Sequence, residues 1–220
     1  MPERAVHEQI KELTAHLLAL YSKVVQNFSN ALWALTHLDG QNIRLIRNTE
    51  REVDMAEVEL EAQCLSFLAL QQPVAKDLRT IVTIMKINNA LERIGDLSVH
   101  IIDRMPEIRF GMLDFEIMGS KVNEMLDKSM QAFLLKDRVL ADLVCSLDEE
   151  IDSMHRVIFK KVVLLMKDQG SDTDQLIAVM SVSRYLERIA DHATKIAREV
   201  IYLVTGEIVR HTERSYTRLL

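Results

Sequence analysis

Apolar residues recur at steps of three, four and seven through long stretches of the chain. Ile84, Ile87, Leu91, Ile94 and Ile101 form one such stripe, the pattern of an amphipathic helix buried along one face. No stretch sustains the period-two alternation with turn pairs that strands need. Scarce glycines and prolines cut the pattern into six long helices. The first runs from about Val6 to Leu38. The second follows "LDGQ", with Asp39 as candidate N-cap, and reaches about Leu70. The third follows "QQPVAKDLR", with Pro73 suited to its first turn, and reaches about Arg104. After "MPEIRFG" the fourth covers about Leu113 to Leu135, interrupted or bent near Gly119. Asp137 caps the fifth, which ends at "KDQGSD"; the sixth starts near Thr173 and fades at Gly206. Gly95 sits mid-helix, where it costs about 1 kcal/mol against alanine. Its counterpart in the sixth helix is Ala190, so a small residue in both places predicts close helix approach.

The pattern occurs twice. "DGQNIRLIRNTEREVD" (39–54) aligns with "DRVLADLVCSLDEEID" (137–152), and "LERIGDLSVHI" (91–101) with "LERIADHATKI" (186–196). The offsets are 98 and 95 residues, so the intervening loop is three residues shorter in the second half. The fold class is all-α: two tandem homologous three-helix bundles related by a pseudo-twofold repeat. Residues 1–106 form the first and 107–220 the second, each expected to enclose its own core.

Polar positions off the stripe carry the chemistry. Glu92 and Asp96 are four apart, as are Glu187 and Asp191, and like charges at that spacing cost an isolated helix about 0.2–0.5 kcal/mol. The preceding helix of each half has its own pair, Glu50 with Asp54 and Asp148 with Asp152. Asp54 and Glu92 lie nineteen residues either side of Pro73, and Glu50 and Asp96 twenty-three. In the second half, Asp152 with Glu187 and Asp148 with Asp191 share a midpoint between Gln169 and Gly170. Antiparallel helices rise equally, about 1.5 Å per residue. Each hairpin therefore brings two acidic pairs to one level. Four carboxylates together need protons, basic partners or metal ions. Oxygen ligands suit Mg²⁺, Mn²⁺, iron or Zn²⁺, and such clusters can hold several bridged ions. On an ideal helix Glu92 and Asp96 stand about 100° and 140° from Leu91, which places the sites on an open flank. One ExxxD pair alone ordinarily marks a solvated face; four at matched levels point to metal. Arg93 and Arg188 stand beside the glutamates and can screen them, and Lys195 is four beyond Asp191. His100 can extend the Asp96 stripe. His192 points elsewhere and, with most of the histidines, is expected at the surface.

Composition narrows the function classes. The 220 residues carry a formal net charge of −6, against a nucleic-acid partner. Cys64 and Cys145 form no CxxC pair, against a disulfide scaffold or a Cys-type zinc site. The N-terminus lacks a signal-peptide core and no apolar run spans a bilayer, which predicts a cytoplasmic protein. No ExxH, P-loop, HExxH or GxSxG motif occurs, and no nucleophile has a base beside it, so no enzyme is predicted. The basic tail with Arg210, Arg214 and Arg218 is a docking surface or a frayed end.

"QQPVAKDLR…INNALERIGD" and "SRYLERIADHATKIA" resemble signature segments of the PhoU family, and the likeness covers nearly the whole chain. The resemblance implies a two-repeat, metal-binding accessory protein and negative regulator of bacterial phosphate uptake and phosphate-starvation signalling. It implies that the metal ligands are Glu50, Asp54, Glu92, Asp96, Asp148, Asp152, Glu187 and Asp191. It implies a cytoplasmic adaptor between a sensor histidine kinase and the ATPase of a phosphate ABC transporter, at the membrane only through these partners. A homodimer is also expected. The family usually has histidine directly after the motif aspartate in both halves; Leu97 departs from this. Two other readings stand beside it: a carboxylate-bridged metalloenzyme, and a helical scaffold whose carboxylates confer solubility alone.

Overall fold

A computed structural model describes residues 2–37, 42–108, 115–168 and 170–208. Among them six long helices run in order: α1 (Pro2–His37), α2 (Ile43–Gln71), α3 (Ala75–Arg104), α4 (Phe115–Leu135), α5 (Arg138–Leu165) and α6 (Thr173–Thr205). A short 3₁₀ turn, Met105–Glu107, follows α3.

Local chemistry sets most of the ends. Asp137 accepts a hydrogen bond from the Leu140 amide at 3.1 Å, and Asp172 one from the Gln175 amide at 3.2 Å. Each satisfies an amide that lacks an intrahelical partner. Gly206 closes α6 with φ +75°, its N–H donating to the Tyr202 carbonyl at 2.8 Å, a backbone form that glycine takes without steric cost. Two expectations need correcting. Pro73 is not in the first turn of α3, which begins at Ala75 after extended Val74; it lies in the linker and stops α2. Gly119 does not interrupt α4, which runs unbroken through it. A Cβ there would fall 2.3 Å from Leu32 Cδ2, so the glycine allows α4 to approach α1. Asp39, Leu113 and the tail arginines lie outside the described residues.

The packing places α1, α2 and α3 together and α4, α5 and α6 together, while α3 and α6 lie against each other. The five residues of the α3 stripe are all fully buried. The cores of the two halves are not separate: the main apolar cluster takes residues from all six helices, from Leu17 and Val53 through Ile94 and Val122 to Val144 and Ile189, and a small second cluster of Ala31, Ala34, Ile46, Ile102 and Met105 lies within the first half. Because α3 and α6 each bury more than one face, neither half closes its core alone. No described helix is long and apolar enough to cross a membrane.

Candidate metal centres

The α2–α3 hairpin turns at Gln72–Val74 and the α5–α6 hairpin between Met166 and Asp172. The matched levels follow. Glu50 feels the charge of Asp96, Glu92 that of Asp54, Asp148 that of Asp191, and Glu187 that of Asp152. These are the four cross-helix pairs that equal distance from the turns predicts.

In the first half, Glu50, Asp54 and Asp96 bring carboxylate oxygens within 4.8 Å of one another, all half-buried. Two oxygens on one hard cation at 2.0–2.6 Å lie at most about 5 Å apart, so this donor set fits an oxygen-ligated ion. Burial, the neighbouring Asp54 charge and a hydrogen bond with Asp54 all raise the Glu50 pKa, and Asp96 adds to this. Burial, then Asp96, raise Glu92, against the opposing charge of Arg93. Arg93 lies 3.1 Å from Asp96 Oδ2 and 3.2 Å from Glu92 Oε2. The second contact lacks hydrogen-bond geometry, and Glu92 Oε2 is shielded from solvent without a partner.

The second half has the same four positions in a looser arrangement. Among the described residues, no three of its carboxylates approach as closely as the first set. Arg184 Nη1 draws Glu187 Oε1 to 2.6 Å, and the Thr194 hydroxyl donates to the Ala190 carbonyl at 3.1 Å. Burial, with Asp191 and Asp152 nearby, pushes the Asp148 carboxyl up to about 6. Burial also raises Glu187, reinforced by Asp191, and raises Asp191, against Lys195. Glu187 Oε2 is buried and unpartnered. The repeat therefore leaves one sheltered carboxylate oxygen without a hydrogen bond at the same place twice, on Glu92 and on Glu187. A buried anionic acceptor without a hydrogen bond is costly, and a proton, a closer basic group or a metal ion would each relieve it.

Three placements differ from expectation. Glu187 retains 9% exposure, deeper than an open flank. The cation on it is Arg184, three residues before it, whereas Arg188 is exposed. His192 is buried, 8% exposed, and burial with Lys195, Arg188 and Arg93 pushes its pKa down to about 4. His100 is exposed, with its ring 5.5 Å from that of Tyr185, and is not among the clustered ligands.

Sequence reasoning passed over Glu57 and His155, which correspond at the offset of 98. Asn88 Nδ2 donates to Glu57 Oε1 at 3.2 Å, and His155 Nδ1 lies 2.8 Å from Ser183 Oγ. Asn88 and Ser183 correspond at the offset of 95, so one cross-helix contact recurs with changed chemistry. Glu57 and His155 each stand three residues beyond a motif aspartate, the i,i+3 spacing that signals a shared face.

A family profile described as the PhoU domain matches residues 17–105 and 115–200. A phosphate-specific transport system accessory protein PhoU homolog from Clostridium acetobutylicum is 33% identical over 215 residues, covering 95% of this chain and 98% of that protein. One from Pseudomonas putida is 32% identical, covering 92% of this chain and 82% of that protein. Among solved structures, the phosphate transport system regulatory protein PhoU from Streptococcus pneumoniae superposes with a TM-score of 0.87 at 30% identity. It covers 94% of this chain and 100% of its own. PhoU from Pseudomonas aeruginosa gives the same TM-score and identity, covering 91% and 99%.

Proposed function

This chain belongs to the PhoU family, and from that premise we propose that it is a metal-binding cytoplasmic adaptor that restrains phosphate uptake and phosphate-starvation signalling. Its partners are the sensor histidine kinase of the phosphate regulon, the ATPase subunit of a phosphate ABC transporter, and a second copy of the chain. The role is contact rather than turnover. The observation that supports the metal reading is the twofold recurrence of a sheltered glutamate oxygen without a hydrogen bond, Glu92 Oε2 and Glu187 Oε2, on a residue within the field of an aspartate of the neighbouring helix. Divalent or iron-type ions held by Glu50, Asp54, Glu92 and Asp96, and by Asp148, Asp152, Glu187 and Asp191, would neutralise the clusters and tie α2 to α3 and α5 to α6.

The contact role is supported on the outer face of α2. Met55, Val58, Ala62, Leu65 and Ala69 alternate three and four apart and are all exposed, the spacing with which one helix receives another. Glu59 and Glu61 flank the stripe and favour a partner helix with basic edges.

The test is metal analysis of protein purified without chelator, beside a variant carrying Glu92→Gln, Asp96→Asn, Glu187→Gln and Asp191→Asn. Stoichiometric metal in the parent that is lost in the variant is the expected result. A parent that holds no metal and takes none on titration with Mg²⁺, Mn²⁺, Fe²⁺ or Zn²⁺ defeats the reading. Binding to the kinase and the transporter ATPase, measured with and without metal, then tests the adaptor. Leu65→Asp should weaken at least one of these contacts without unfolding the protein.

A further inference from the structure

A cleft of about 830 Å³ opens where α2 and α3 of the first half meet α6 of the second. That volume lies in the range of small-molecule sites, and the acidic clusters contribute none of its lining residues. Its wall divides by chemistry. Leu68, Val82, Met85 and Ala90 make one side apolar, and Lys86, Lys195 and Arg198 bring three cations. Glu61 and Glu199 are the opposing carboxylates, and Lys86 is committed to Glu199 at 2.7 Å, with its ammonium also 5.1 Å from the centre of the Tyr202 ring. The cleft is thus net positive on a chain that is net negative.

Lys195 and Arg198 are the cations left over. Neither has a carboxylate within 4.0 Å among the described residues; Asp191 and Asp148 act on them only at longer range. Arg198 Nε is shielded from solvent and donates to nothing, and His192, 8% exposed and on the same wall, has an unpartnered Nδ1. A buried guanidinium N–H without an acceptor carries the full desolvation cost of a charged donor. A neutral imidazole offers one N–H and one lone pair. One lysine, one arginine fork and one imidazole N–H on one wall match the several oxygens of a phosphoryl group better than the two of a carboxylate.

We propose that this cleft binds a small organic phosphate of the nucleotide class, with Lys195, Arg198 and His192 holding the phosphoryl oxygens and Leu68, Val82 and Met85 covering the apolar body. Asn89, on the same wall, offers an amide to the polar edge of a base. Inorganic phosphate would fill the head of the site and leave the apolar wall uncovered, so it binds more weakly by roughly tenfold or more.

The experiment is calorimetric titration of the full chain with AMP, ADP, ATP and inorganic phosphate, first in excess chelator, so that metal at the acidic clusters plays no part, and then with Mg²⁺ added. Saturable binding of at least one nucleotide, ahead of inorganic phosphate, is expected. Lys195→Gln should weaken it roughly tenfold, and Asn89→Trp, which adds bulk at an exposed position on the wall without changing charge, should abolish it. Circular dichroism confirms that both variants fold. Three results overturn the proposal: no nucleotide heat in chelator; binding indifferent to both substitutions; or binding that needs divalent metal and disappears with Glu50→Gln and Asp96→Asn, which would put the nucleotide on the metal centres. Inorganic phosphate binding as tightly as every nucleotide overturns the ligand class. The titrations in chelator read the cleft whether or not the parent protein holds metal.

Discussion

Asp148 shows what a crowded acidic cluster costs the fold. Burial and its aspartate neighbours hold its carboxyl at about 6, above the ordinary 3.8. A carboxyl raised on folding contributes stability that is full below the unfolded pKa, near 4, and lost as pH rises through 6. At pH 7 in chelator the loss amounts to at most about 3 kcal/mol, and less because the half-buried side chain is partly screened by solvent. Metal-free protein should therefore gain from this group between pH 7 and pH 5. Asp148→Asn should raise the pH 7 denaturation midpoint and flatten the difference between the two pH values. An unchanged pH profile in the variant would remove Asp148 as the cause. The same proton competes with a cation, because ligation needs the ionised form. Mn²⁺ affinity in titrations of the parent should then fall between pH 7 and pH 5, opposite in direction to the stability of the metal-free chain.

Helix approach is tested at two glycines. At Gly119 a Cβ would meet three atoms of the Leu32 side chain at 2.3–3.0 Å, whereas at Gly95 it would meet only Val53 Cγ1, at 3.3 Å. Alanine gains about 1 kcal/mol of helix propensity at either place. At Gly119 the clash with a buried leucine outweighs this, by about 1–2 kcal/mol; at Gly95 the terms nearly cancel. Urea denaturation should show Gly119→Ala to be the more costly of the two by at least about 1 kcal/mol, and equal costs would mean that α1 and α4 separate freely. Gly119 also marks where sequence reading stops. Six helices, the Asp137 cap, the buried α3 stripe and the levels of the acidic pairs were legible, because each follows from spacing along one chain segment. A mid-helix glycine reads the same whether it breaks a helix or admits a neighbour, and the neighbour, Leu32, is far away in sequence. Arg184 and His192 were misjudged for the same reason. Which cation reaches Glu187, and which histidine is covered, depend on how α6 lies among the other helices rather than on its own periodicity.

At the scale of the molecule, the shared core decides what the repeat can do. Residues 1–106 and 107–220 each hold three helices, yet α3 and α6 pack on each other and most of the buried apolar residues form one cluster across both halves. Division would strip α3 and α6 of each other and expose apolar surface of the kind that drives association. The whole chain should therefore unfold in one transition, coincident by near- and far-ultraviolet circular dichroism. Residues 1–106 alone should self-associate or melt without a sharp transition. A monomeric half with its own cooperative unfolding would show that the α3–α6 contact is an interface between finished domains instead of part of one core. The distinction bears on the proposed adaptor role. With a shared core, metal that tightened α2 against α3 would shift the packing that α6 also shares, so metal titrated onto Glu50, Asp54 and Asp96 should slow amide exchange along α6 as well as along α2 and α3. Protection confined to the first hairpin would mean that the two centres act separately on whatever each half contacts.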